Sequence, residues 1–285
     1  MKDDCRFDAG AVPWDPGFPH RQAGLAVFAH ALGTFPLPPA DDWPTLEALA
    51  ALIATRAVTN SARMPLVLVA ADGAGATAYE RRIGQCGELA VQARQWHDLL
   101  NVCVWALWPA AKAALNRRHC LSLASDPGPQ RSPARDALTA FDEDGIVVAI
   151  AEPTLGHLVR EFRWRELFVD RRASIAHAFL PFVLGHGLCE KLLAPFVGLT
   201  AKALLVPVDV GFARSPVAAQ VAHLDAAVAD IIGDPGRFTT MADLAPLPVL
   251  GLPGWWAANA DPAFYDDTSY FRGGRRSRAT AGAPG

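Results

Sequence analysis

Apolar positions recur along the chain with the period of a helix in some stretches and as short uninterrupted runs in others. Over residues 215–232, Val217, Val221, Leu224, Val228 and Ile231 return every three or four positions, which puts them on one helix face. Ser215 reads as the N-cap of this helix, Pro216 as its first residue, and Gly233-Asp234-Pro235-Gly236 as its stop. An earlier helix is expected to start near Pro44, with Asp41 and Asp42 at its positive end and Leu46, Leu49 and Ile53 as its stripe. Residues 96–119 read as two short helices with Pro109 opening the second; residues 136–141 and 186–193 read as further helices. Short apolar runs predict strands at 66–69 (buried), 146–150 and 203–208, and a buried element at 176–184. Residues 161–172 alternate charged and aromatic positions and fit either strand or helix. Asp126-Pro127-Gly128-Pro129 reads as a loop, and Asp142-Glu143-Asp144-Gly145 as a turn into the strand that follows.

Outside these segments the periodicity fades. Residues 1–40 are rich in Pro and aromatics (Trp14, Pro16, Phe18, Pro19, then Phe35-Pro36-Leu37-Pro38-Pro39) and read as an extended arm wrapped on the body. Residues 246–256 and 264–267 read as an ordered, aromatic, non-regular segment, and the Gly/Arg/Ala-rich residues 273–285 as a disordered tail. There is no internal repeat and no linker. The expected fold is a single α+β domain over residues 41–272: a modest mixed sheet packed with helices, between irregular Pro/aromatic-rich arms.

Composition narrows the class. With 51% hydrophobic and 19% charged positions in 285 residues, the chain can build a sizeable core, which excludes wholesale disorder. A net charge of −3 argues against a surface that grips nucleic acid throughout, because neutralising phosphates needs a basic footprint. The pairs Arg117–Arg118 and Arg171–Arg172 keep a small anion site open. The longest apolar stretches, within residues 175–210, are broken by Pro181, His186, Glu190, Lys191, Pro195, Lys202 and Pro207, short of the roughly 20 residues that span a bilayer. The first residues lack the apolar run of a secretory signal. Cys5, Cys86, Cys103, Cys120 and Cys189 are odd in number and form no CxxC pair, so they read as reduced, mostly buried thiols. A soluble, cytoplasmic protein without a membrane partner is expected.

Four segments carry candidate chemistry. Gly73-Ala74-Gly75-Ala76-Thr77-Ala78 fits G-x-G-x-x-A after a predicted strand. A dinucleotide fold then needs a second parallel strand ending in an acidic residue about 20 positions on. The chain instead enters Trp96-His97-Asp98, which reads as helix, so the glycines read as a flexible turn. In the second segment, helical spacing puts His97, Asp98 and Asn101 on one face that Trp105 and Trp108 continue, and Asn116 and His119 repeat the spacing on the next helix. Such groups among aromatics either bind a metal and move protons or serve structure: Asp98 as an N-cap, Asn116 as a C-terminal cap, His119 as a helix-end cation. The third segment, Arg135-Asp136 through Asp142-Glu143-Asp144, offers carboxylates for a hard cation or for acid–base work, against a solvated turn; Asp136 reads as its least surface-like member. In the fourth, Gly185-His186-Gly187-Leu-Cys-Glu190-Lys191 sets His186 and Glu190 one turn apart, with glycines that permit a ligand to approach the helix start.

Several of these residues belong to longer motifs. Tyr79-Glu80-x-x-Ile83, Trp96-His97-Asp98-x-x-Asn101-x-x-x-Trp105, Lys112-Ala-Ala-Leu-Asn116-x-x-His119, Arg135-Asp136-Ala-Leu-Thr139-x-Phe141-Asp142-Glu143-x-Gly145 and Gly185-His186-Gly-Leu-x-Glu190-Lys191 stand in order along the chain. Together with Pro246-Leu-Pro-Val-Leu-Gly-Leu-Pro-Gly-Trp255 and Phe264-Tyr265-Asp266-Asp267, they resemble the proteobacterial family called domain of unknown function 3025, over residues 40–272. Gln95 and Trp108 depart from the family's Asn and Phe, and neither change removes a candidate group. The resemblance implies a family and no particular reaction.

The residues themselves point first to an enzyme, a hydrolase or transferase working with or without a divalent metal. His97 is its general base or metal ligand and Asp98 the orienter or co-ligand. Asp136, His119 and His186 support them, and Asn101 and Asn116 hydrogen-bond a small-molecule or anionic substrate. The metal candidates are His97, Asp98, Asp136, Asp142, His186 and Glu190. Two alternatives stand beside it. One is a non-catalytic binding module with Trp96, Trp105, Trp255 and Trp256 exposed on an apolar surface. The other is an RNA-binding or RNA-modifying protein using Arg117, Arg118, Arg171 and Arg172, which the acidic balance disfavours.

Overall fold

The computed structural model describes residues 12–32, 42–125 and 132–274. The chain enters through two short 3-10 turns, then helices α1 (Ala26–Leu32) and α2 (Leu46–Thr55). Strand β1 (Val67–Ala70) leads through α3 (Ala76–Cys86) to β2 (Glu88–Val91), and the two strands pair in parallel. Three helices follow: α4 (Trp96–Leu107), α5 (Pro109–Ser125) and α6 (Pro133–Asp144). After β3 (Gly145–Ile150) come α7 (Pro153–Arg160), α8 (Arg172–Ala178), β4 (Phe179–Val183) and α9 (His186–Leu193). Strand β5 (Thr200–Pro207), α10 (Val217–Gly233) and β6 (Ala245–Pro248) complete the order. The fold is α+β, as expected.

Strand β3 is buried at every position, and a strand with no solvated face belongs inside a sheet. It pairs antiparallel with β4 on one side and parallel with β5 on the other, and β6 closes the sheet antiparallel to β5, giving the order β4-β3-β5-β6. Pro181 in β4 and Pro246 and Pro248 in β6 stand on the two edge strands, where a residue without an N–H breaks no internal ladder. Helix α10 packs along α5 and against β3 and β5, and α6 and α9 pack on each other beside the sheet.

Several elements differ from expectation for local reasons. Helix α10 opens at Val217 with Pro216 in the cap position; Ser215 stays extended, because the residue before a proline is pushed out of the helical region. Helix α2 is capped by Thr45, whose hydroxyl accepts from the Ala48 N–H, rather than by the aspartates; Asp41 lies outside the described residues. Helix α6 runs on to Asp144, so the acidic triplet is its last turn and no separate turn precedes β3. Within residues 161–172 the chain is helical from 164, with a π-helical turn at Glu166–Asp170, and forms no strand. Strand β1 is not buried throughout, since Val67 is 57% exposed.

The described part of the expected N-terminal arm, residues 12–32, is folded into turns and α1 rather than extended; residues 1–11 and 33–40 lie outside the described residues. Phe18 and Phe28 are fully buried, and Trp14 packs against Trp43 and Trp96. The aromatic C-terminal stretch is ordered but not wholly non-regular: residues 246–248 belong to β6, and short 3-10 turns follow. The Tyr270 hydroxyl donates to Leu199 O at 2.8 Å and that of Tyr265 to Gly251 O at 2.9 Å. The expected loop at 126–129, Cys5, and residues 275–285 of the expected tail lie outside the described residues. Cys103 and Cys189 are buried free thiols, Cys120 is half-buried, and Cys86 is exposed. No described helix is long and apolar enough to cross a membrane.

Candidate metal centre

Helix α4 is pinned at its start by Trp96, buried among Trp14, Phe18 and Trp43, with its indole N–H donated to Val12 O at 2.9 Å. The next two residues, His97 and Asp98, are therefore held half-buried at a cavity wall. Helix α9 reaches the same wall because of two glycines. A Cβ at Gly185 would lie 2.3 Å from the Gly145 nitrogen and 2.4 Å from Glu143 O, and one at Gly187 would lie 2.7 Å from Glu143 Oε2. The glycines thus admit the end of α6, where a ligand's approach was expected, and they set His186 beside Asp142 and Glu143.

Three side chains from α4, α6 and α9 converge there. His97 Nε2 stands 3.0 Å from His186 Nε2, and Glu143 Oε1 lies 3.6 Å from the latter. One ligand atom from each of the three residues falls within 4.8 Å of the others. Two nitrogens bound tetrahedrally at about 2.0–2.1 Å stand roughly 3.3 Å apart, so the two imidazoles are close to ligating separation. Behind them stand further carboxylates. Glu190 Oε2 lies 3.1 Å from His97 Nδ1, and Asp142 Oδ2 lies 4.0 Å from His186 Nδ1, a buried nitrogen without a hydrogen-bond partner. Asp142 is ion-paired to Lys112, itself buried over the Trp105 ring at 5.5 Å.

The charge states follow from these neighbours. Burial pushes His186 down to about 3, against the pull of Asp142, so the imidazole is neutral and its lone pair available. The hydrogen bond to Glu190 raises His97 in spite of burial. Burial raises Glu143. Burial would raise Asp142 too, but the charge and hydrogen bond of Lys112 outweigh it and hold the carboxyl below its usual range.

The three side chains face a cavity of about 290 Å³, whose wall also includes Tyr79, Glu80, Asn101, Arg135 and Thr139. Of the residues singled out in the sequence, His97, Asp98, Asn101, His119, Asp142 and His186 line it. Asp98 also ties α4 to the end of β2 by accepting from the Gln92 N–H at 2.6 Å, and Asn101 donates to the Tyr79 hydroxyl at 2.7 Å. Glu190 stands behind His97, and Asn116 behind Glu80. Helix α5 runs to Ser125, so Asn116 and His119 are mid-helix residues and not terminal caps. Asp136 is exposed on the first turn of α6 and is not on the cavity wall, contrary to its reading as the least surface-like acid. The metal-ligand reading passed over Glu143, whose only signal was its place in the acidic triplet before Gly145. It also passed over Lys112, a lone charge in an alanine run.

The other sequence motifs resolve differently. The glycine turn at Gly73 and Gly75 does lie between two parallel strands; β2 had been missed because Glu88-Leu-Ala-Val91 is short and poor in β-branched residues. The acidic residue that follows, Asp98, is on α4 rather than at the end of that strand. Trp96, Trp105 and Trp255 are buried and Trp256 half-buried, so they form no exposed aromatic surface. Arg118 is buried and donates to Ile232 O at 2.6 Å and Phe238 O at 3.0 Å. Arg171 pairs with Glu152, and Arg172 donates to the Tyr265 hydroxyl at 3.0 Å, which leaves Arg117 the exposed member of the four.

A sequence profile of the family described as Protein of unknown function (DUF3025) matches residues 66–275. No curated protein and no solved structure matches the chain.

Proposed function

The chain belongs to the DUF3025 family, and we propose that it is a metal-dependent hydrolase or transferase in which His97, His186 and Glu143 hold one divalent cation. The reading rests on the convergence of the two Nε2 atoms, 3.0 Å apart, with the Glu143 carboxylate beside them. Two imidazole nitrogens at that separation either share a hydrogen bond, one neutral ring donating to the other, or are bridged by a cation. A proton serves two acceptors, whereas three converging ligand atoms suit a cation. The outer nitrogen of His97 agrees with this. At His97 the Glu190 carboxylate, 3.1 Å from Nδ1, favours the tautomer whose Nε2 lone pair points inward, the carboxylate–histidine–metal arrangement; at His186 the nearest carboxylate, Asp142, stands 4.0 Å from Nδ1, beyond hydrogen-bond reach.

A cation held by two histidines and one carboxylate would supply an activated water and polarise a carbonyl or phosphoryl oxygen. The chain's own groups then orient the substrate. Asn101 and Tyr79 stand hydrogen-bonded to each other on the wall, and Arg135 brings a cationic side chain to it. A cavity of about 290 Å³ suits a small molecule.

The test is metal content on protein purified without a metal-affinity tag, followed by zinc titration of the stripped protein. One equivalent of Zn, Mn or Fe is expected in the wild type and in Asp136→Ala, and none in His186→Ala or Glu143→Ala. A wild type that neither carries nor takes up a cation would leave the hydrogen bond between His97 and His186 and remove the metal from the reading.

A further inference from the structure

We infer that Glu80 is a catalytic acid–base group of this cavity, handing a proton to the leaving group while His97, His186 and Glu143 hold the cation elsewhere on the same wall; the inference rests on the metal reading above. Glu80 lies in the middle of α3, beside Tyr79, and lines the cavity with the three ligands. Its carboxyl is placed by α5. Asn116 Nδ2 donates to Glu80 O at 2.9 Å and to Glu80 Oε2 at 2.7 Å. Gly84 allows the two helices this approach, since a Cβ there would lie 2.8 Å from Cys120 Sγ and 3.3 Å from Asn116 Oδ1.

The groups facing Glu80 are Tyr79 on its own helix, Lys112, Asn116, His119 and Cys120 on α5, and Arg135 and Asp142 on α6. The buried cation among them, Lys112, is ion-paired with Asp142. Glu80 is thus a half-buried carboxyl fixed by an amide, with a neighbouring carboxylate against its ionisation. Burial, then Asp142, push it up to about 7, where an acid–base group exchanges protons most effectively at neutral pH. Asp98 shares the cavity wall but is engaged with the Gln92 N–H, and Glu190 is behind His97, which leaves Glu80 as the wall carboxyl suited to carry the proton.

The step balances without a further reactant. The oxygen of the activated water forms a bond to the acyl or phosphoryl centre, and the bond to the leaving group breaks. The Glu80 acid gives its proton to the departing oxygen or nitrogen, and the proton lost by the water restores the acid. The sum is one water consumed and two hydroxyl- or amine-bearing fragments formed.

The test reads the Glu80 proton directly and needs no substrate. Infrared difference spectra of wild type against Glu80→Gln, titrated across pH 5–9 without and with zinc, report the C=O band of a protonated carboxyl. Expected is a midpoint near 7 without metal that falls by about one pH unit or more with zinc, because a dication on the same cavity favours the carboxylate. In Glu143→Ala, which should bind no zinc, the midpoint should stay in place. A midpoint near that of free glutamate, or zinc bound with the midpoint unmoved, overturns the role of Glu80 and leaves the metal centre standing. A wild type that binds no zinc overturns the metal reading and this inference with it. Should Glu80→Gln not fold, Asn116→Ala replaces it: loss of the amide donor should raise the midpoint, and an unchanged midpoint counts against the assignment.

Discussion

Lys112 is 3% exposed in the middle of α5, and an ammonium is found in such a place only with a partner. Its partner is Asp142, which in turn faces His186, so one ion pair sets the electrostatics behind a metal-ligand candidate. Removing the ammonium while keeping the apolar stem, as in Lys112→Met, leaves the half-buried Asp142 without its cation. We expect a loss of about 3–5 kcal/mol in urea denaturation. The double variant Lys112→Met, Asp142→Leu should recover most of it, because neither charge then remains to desolvate. A single variant within about 1 kcal/mol of wild type would mean that water reaches the pair.

At the scale of elements, helix ends depend on groups from elsewhere in the chain. The first turn of α5 is capped from another helix: Asp225 of α10, 7% exposed, accepts from the Ala111 N–H at 2.8 Å and the Ala110 N–H at 3.0 Å. Asp225→Ala should therefore cost about 1–2 kcal/mol in thermal or urea unfolding, with Asp225→Asn costing less; no loss in the alanine variant would refute the cap. In sequence, Asp225 stands one turn after Val221 at the margin of the helical stripe, with nothing beside it to mark a cap for another helix. The periodicity identifies α10 and Pro109 identifies the break between α4 and α5, because both signals are local. That α10 caps α5 is a long-range contact and has no local signal. Strand β2 was illegible for the same reason: its four residues become a strand by pairing with β1.

At the scale of the whole molecule, the proposed ligands stand on three helices, α4, α6 and α9, so a bound cation would cross-link elements that are remote in sequence. Zinc at about 100 times its Kd should raise stability by roughly 2.7 kcal/mol, visible as an increase in Tm that a chelator reverses. His186→Ala should show no such increase, and a wild type equally indifferent to zinc would argue that no cation links the three helices.

The sequence by itself determined the α+β class, the main helices and the family, because these rest on local periodicity, caps and runs of motif. It also singled out His97, Asp98, Asn101 and His186 as polar groups in apolar surroundings. Only the tertiary structure decided that Glu143 rather than Asp136 meets the histidines, and that Glu80 shares their cavity. The physical reason lies in close packing. Gly185 and Gly187 let α9 press on the end of α6, and Gly84 lets α3 press on α5. Contacts of that kind depend on which backbones touch, and no spacing along one segment records it.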